Sequence, residues 1–149
     1  VIANVHPDKT HLSDCRQTGQ GFEFLGYRFE AGKRWVRNKS RKALRDKIRD
    51  KTRRNRSGSM KSLIQELNVM LKGWFNYFKH AYRTEFASVD GFIRRRLRAL
   101  LLRRNKRKGW GRSVMAHRRW KNAYFASMGL FTLHEARMQA CQSRCDALS

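Results

Sequence analysis

The stretch Leu67-Asn68-Val69-Met70-Leu71-Lys72-Gly73-Trp74-Phe75-Asn76-Tyr77-Phe78 decides the fold. Leu67, Leu71, Trp74, Phe75 and Phe78 recur at helical spacing, and Leu63 extends the stripe one turn upstream, so the segment is a helix with one broad buried face. Ser59 or Ser62 can cap it, Ser62 with Gln65 three residues on as in a capping box. At this spacing Trp74 and Phe78 belong to the core rather than to a base-stacking surface. Lys72, Asn76 and Lys79 share a face away from Leu67 and Leu71, where they are candidates for polar contacts to a partner. Gly73 inside the helix costs about 1 kcal/mol relative to alanine. Such a residue is easiest to explain if another backbone, protein or nucleic acid, passes close by.

Two cationic bands flank this helix. In residues 38–58 ten lysines and arginines meet two aspartates, a net +8; in residues 88–112 ten meet one, a net +9. The stretch between them nets only +2, so the bands hold 17 of the chain's +24. Charge this dense repels itself and costs stability unless something neutralises it, and the phosphate backbone of RNA or DNA is the usual partner. A merely solvated basic surface does not need so large an imbalance of sign.

Outward from the centre the period stays helical. Residues 40–56 carry a narrow apolar stripe of Leu44 and Ile48, with Ala43 and Thr52 at its margin, so Arg41, Lys42, Arg45, Lys47, Arg49 and Arg53 face water or phosphate. Asp46 and Asp50 can each pair with a cation three or four residues on, a matter of tenths of a kcal/mol. Ser88 or Asp90 opens a third helix with Val89, Ile93, Leu97 and Leu100 or Leu101 inside and Arg94, Arg95, Arg98, Arg103 and Arg104 outside. Residues 105–111 then form a Gly-bounded basic loop in which Lys106, Arg107 and Lys108 could hold a strand while Trp110 stacks a base. After Ser113 a shorter helix runs through Trp120 and Phe125 to about Met128, Gly129 ends it, and Thr132 with Glu135 caps a C-terminal helical tail. The first 37 residues differ: residues 21–29 read as a strand that Ala31-Gly32-Lys33 turns back into Arg34-Trp35-Val36. The fold class is mostly α, a small N-terminal β-hairpin followed by a bundle of about four to five helices, divided at residues 1–37, 38–131 and 132–149.

Several classes are excluded. The longest uncharged apolar cluster in the basic region, Ala99 to Leu102, is far too short to span a bilayer, and no secretion signal opens the chain. Three cysteines argue against a disulfide framework and for a reducing compartment. No paired carboxylates, phosphate loop or nucleophile elbow is present, so no catalytic residue is assigned. Neither His6, His11 and Cys15 nor His134, Cys141 and Cys145 gives a four-ligand pattern, and Asp46 with Asp50 reads as ion-pair partners, so no metal site is assigned.

The pattern Leu67-Asn68, Leu71, Gly73-Trp74, Asn76-Tyr77-Phe78 resembles the maturase-specific region, also called domain X or thumb, of group II intron reverse transcriptases. Phe86, Asp90 and Ile93-Arg94-Arg95-Arg96-Leu97-Arg98 look like the family's following helix. Upstream, Phe24-Leu25-Gly26-Tyr27-Arg28-Phe29 resembles the last conserved block of the polymerase palm, and His6-Pro7-Asp8-Lys9-Thr10 the segment after its catalytic strand. The four blocks keep the family's order over residues 6–131.

The resemblance implies a palm end at 1–37, a thumb or domain X at 38–131 and a tail at 132–149. It implies a protein that binds group II intron RNA to assist splicing and, in complete form, holds an RNA/DNA template-primer duplex and copies RNA into DNA. The setting implied is a cytoplasmic, bacterial ribonucleoprotein. The family's Tyr-Xaa-Asp-Asp motif and fingers would lie upstream of Val1, and no Asp-Asp pair occurs in the chain, so polymerisation by these residues alone is not expected. No cofactor is expected here, with Mg²⁺ needed only by the complete polymerase. The alternatives are the non-catalytic portion of a split polymerase whose fingers and palm come separately, and a general basic DNA-binding protein.

Overall fold

The computed structural model describes residue 16 and residues 18–147. Three strands, β1 (Phe22–Phe24), β2 (Tyr27–Glu30) and β3 (Lys33–Val36), form an antiparallel meander in that order. Phe22 pairs with Phe29, and Tyr27 with Val36. The stretch 21–29, read above as one strand, is thus folded in two. Leu25 and Gly26 both take positive φ, 49° and 81°, making a two-residue turn that Ala31 and Gly32 repeat at 50° and 70°. Such turns match the twist of paired strands but favour Asn, Asp or Gly at their first position, which is why a leucine there gave no signal. His6 to Thr10, His11 and Cys15 lie outside the described residues.

The first turn sits on the central helix, α2 (Met60–Phe78). The Tyr77 hydroxyl donates to the Leu25 carbonyl at 3.0 Å, and the Tyr27 hydroxyl donates to the Tyr77 carbonyl at 2.8 Å. A side chain at Gly26 would meet the Phe78 ring at 3.3 Å. Two motif blocks far apart in the chain are therefore one contact. Of their residues, Leu67, Leu71 and Phe78 are buried, whereas Phe24, Leu25 and Tyr77 are 60%, 67% and 57% exposed and do not belong to the core.

Around α2 pack α1 (Asn38–Lys51), α3 (Arg83–Arg104) and α6 (Leu133–Asp146), with short α4 (Val114–Arg119) and α5 (Asn122–Ser127) between the last two. The mostly α class holds, with six helices and a third strand among the described residues. The expected stripes are buried: Leu44, Ile48 and Thr52 at α1, Leu63, Leu67, Leu71, Phe75 and Phe78 in α2, and Val89, Ile93, Leu97 and Leu100 in α3. Trp74 is half-buried, 4.9 Å from the Phe78 ring and 6.2 Å from Phe86. Ser59 caps α2, its hydroxyl accepting from the Ser62 amide at 3.0 Å, and Ser113 caps α4 in the same way at 3.2 Å.

One boundary and one cap differ from the sequence reading for non-local reasons. α3 starts at Arg83, not at Ser88 or Asp90, because Glu85, only 5% exposed, takes the Arg41 guanidinium at 3.0 Å and Phe86 joins the core. Asp90 lies buried inside α3 and caps a different helix. Its carboxylate accepts from the Leu133 and His134 amides at 3.0 and 2.9 Å, while the Thr132 side chain makes no cap bond. The single helix read after Ser113 is broken at Trp120, whose backbone leaves the helical region.

Candidate nucleic-acid interface

The α1–α3 seam gathers charge around one ring. Phe92, half-buried on α3, has the guanidiniums of Arg45, Arg49 and Arg95 at 5.6, 5.5 and 5.1 Å from its centre. Arg49 pairs with Asp46 at 2.5 Å, but neither Arg45 nor Arg95 has a carboxylate partner among the described residues. Arg45 donates to the Ser88 hydroxyl at 3.2 Å and leaves its Nε buried and unpartnered. Burial, then the neighbouring Arg112, Arg49 and Arg45, push the Arg95 pKa down from its ordinary value. Arg96 is lowered by burial and by Arg95, Arg49 and Arg54. Guanidiniums stay protonated at physiological pH, so these shifts record first the removal of Arg95 and Arg96 from water and then the cations around them.

Other arginines are committed to the fold. Arg98, expected at the RNA, is 2% exposed; its Nε donates to the Trp120 carbonyl at 2.9 Å, Nη2 to Asn122 Oδ1 at 2.8 Å, and it faces the Phe125 ring at 5.4 Å. It is withdrawn from the contacting set, because α4 and α5 cover this side of α3. Arg41 is engaged by Glu85 and by Asn38 Oδ1. Arg96 donates to the Thr52 hydroxyl and to the Thr52 and Arg49 carbonyls, capping the C-terminus of α1. Arg104 holds the Gly58 carbonyl at 2.7 Å. Arg53 pairs with Asp50 at 2.9 Å, three residues apart as anticipated.

The remaining cations face solvent. Lys42, Lys47, Arg103, Lys106, Arg107 and Lys108 are exposed, Arg94 is half-buried, and none has a carboxylate partner among the described residues. Arg103, Lys106, Arg107 and Lys108 line a cleft of about 880 Å³ with Arg54 and Trp110. Trp110 is 67% exposed, and the Arg54 guanidinium lies 4.6 Å over its ring.

On α2, Lys72, Asn76 and Lys79 are exposed together, with Lys72 Nζ 5.9 Å over the Phe131 ring. They share no hydrogen bond or ring contact with the α1 and α3 cations. Asn68 turns inward, donating to the Gly129 carbonyl and accepting from the Phe131 amide, both at 2.7 Å, so it clamps the turn before α6. Gly73 has nothing within 4 Å of where a side chain would begin, so no described backbone passes close to it. Sequence reasoning missed Phe92, Arg54, Arg96 and Arg112. Phe92 gave a faint signal, as an aromatic outside the Val89-Ile93-Leu97 stripe at the head of an arginine run.

Residues 41–126, from the first turn of α1 into α5, match the family model of the group II intron maturase-specific domain. The chain belongs to that family. Its function is therefore that of a maturase in group II intron splicing, and the partner that function implies is intron RNA. No curated protein matches the chain. The sheet and α6 lie outside the matched residues of the maturase domain. Among the described residues no helix is long and apolar enough to cross a membrane, and no group of three or more metal-ligating side chains could hold an ion.

Proposed function

We propose that this maturase domain grips structured intron RNA by its phosphate backbone, through the α1–α3 seam and the basic loop after α3. The observation that carries the reading is the cluster on Phe92, three guanidiniums against one carboxylate. Repelling cations held by a rigid two-helix seam gain most from an external anion with several charges at fixed spacing. A-form RNA offers that spacing, and proteins recognise it largely by shape and phosphate. The sheet docked on Tyr77 and Phe78 supports the further reading that residues 1–37 end a polymerase palm, and that the complete protein holds a template-primer duplex.

The test is a binding titration against intron RNA, with duplex DNA as competitor. At ~6–10 phosphate contacts, affinity falls by ~10³–10⁵ between 50 and 200 mM salt. Arg45→Gln and Arg95→Gln each lower the slope of log affinity against log salt by about one. Affinity independent of salt, or DNA competing as well as RNA, would overturn the proposal.

A further inference from the structure

We infer that Trp110 is the stacking platform for one unpaired RNA nucleotide, whose phosphate is taken by Arg95 and Arg112. This deepens the RNA-binding reading above and rests on it for the identity of the polymer.

The loop is built to hold that ring outward. The Arg107 amide donates to the Leu102 carbonyl at 2.8 Å, the Lys106 amide to Arg103 at 3.0 Å, and Arg54 Nη2 to the Gly109 carbonyl at 3.1 Å. Gly111 has φ +73° and lies so close to α3 that a Cβ would fall 2.5 Å from the Arg95 carbonyl oxygen and 2.8 Å from the Ala99 amide. With its backbone fixed on both sides, Trp110 has little left to lose on binding.

A tryptophan with a packing role would be buried, and this one is two-thirds exposed. The Arg54 contact accounts for part of the ring. A second cleft of about 320 Å³ is lined by Arg95, Arg96, Ala99, Trp110 and Arg112, and Arg54 is not among its lining residues. Arg96 is engaged by the end of α1, which leaves Arg95 and Arg112 as the cations without carboxylate partners. A flat ring beside two unpaired guanidiniums fits a flat base followed by a phosphate. The base must be unpaired, because inside an A-form helix both its faces are covered by neighbours.

The experiment uses two RNA hairpins identical except for one bulged 2-aminopurine, bound to the unaltered chain, Trp110→Ala and Trp110→Phe. Trp110→Ala weakens the bulged hairpin roughly 5- to 150-fold, the equivalent of ~1–3 kcal/mol per stacked base. The fully paired hairpin changes less than about twofold, and Trp110→Phe keeps most of the affinity. The 2-aminopurine fluorescence is quenched on binding the unaltered chain and recovers in Trp110→Ala. Equal weakening of both hairpins, no weakening of either, or quenching that survives Trp110→Ala overturns the inference. Failure of the unaltered chain to bind the paired hairpin would sink the duplex grip instead, while selective quenching by Trp110 would still support the stacking platform.

Discussion

Arg98→Ala separates an arginine of the fold from an arginine of the interface. Truncation takes away both donors that hold the Trp120 carbonyl and Asn122 Oδ1, in a place where Arg98 itself is 2% exposed. A buried carbonyl left without a donor costs ~1–3 kcal/mol. Loss of the desolvated contact with Phe125 adds about 1–2 kcal/mol, and the lost packing of the side-chain stem brings the total to roughly 3–5 kcal/mol. That is a large share of the ~5–15 kcal/mol typical of a folded domain. Urea unfolding followed by circular dichroism reads it as a lower midpoint at unchanged slope. Arg98→Lys keeps the charge but has no fork to serve two acceptors, so it recovers little stability. Folded Arg98→Ala binds intron RNA with nearly unchanged affinity. A stability loss below about 1 kcal/mol, joined to weaker binding that lysine restores, would mean that Arg98 reaches phosphate after all.

Two further outcomes are expected. Burial raises the Asp90 pKa above its ordinary 3.8 despite the lowering effect of the His134 and Leu133 amides, so the folded chain holds this proton more tightly than the unfolded one. Its contribution to stability is therefore full below pH 3.8 and declines as pH rises through the raised value; the native chain loses ground to Asp90→Asn over that window in urea melts, and a pH-independent gap between the two would refute it. Gly73→Ala, with nothing within 4 Å to obstruct it, stabilises α2 by about 1 kcal/mol, and a lower melting temperature would contradict the open face.

The central helix was legible because its signal is local. Leu63, Leu67, Leu71, Phe75 and Phe78 lie on one stripe of one segment, and all are buried. The narrow seam of α1 was read from Leu44 and Ile48 for the same reason, although Ala43 beside them is exposed. What escaped the sequence depends on partners far along the chain. Glu85 looks like a residue of a surface turn until Arg41, 44 positions upstream, is folded against it. Asp90 looks like the cap of its own helix and serves one 43 residues on. Arg95 and Arg98 stand in one run, Arg94-Arg95-Arg96-Leu97-Arg98, and nothing in that run tells that Trp120 and Phe125 will cover only the second of them.

The arginines of α3 and of the α1–α2 connection follow one physical rule that sequence cannot apply. A guanidinium is a rigid set of donors, and its role is decided by whether an oxygen of the fold lies within reach. Where chain ends and turns present carbonyls, at Thr52, Trp120, Gly58 and Gly109, an arginine caps them and stiffens the scaffold. Where the neighbours are other guanidiniums, as for Arg45, Arg95 and Arg112, no carboxylate among the described residues pairs with them, which is what suits them to the proposed grip on phosphate. The two classes touch. Arg96 caps α1 directly beside Arg95, and Arg54 pins the loop whose Trp110 stands at the cleft of Arg95 and Arg112. The scaffolding arginines thus hold the unsatisfied ones at close quarters against their mutual repulsion. In the proposed grip an arriving phosphate relieves that repulsion, which would link rigidity of the bundle to affinity for RNA through the same few residues.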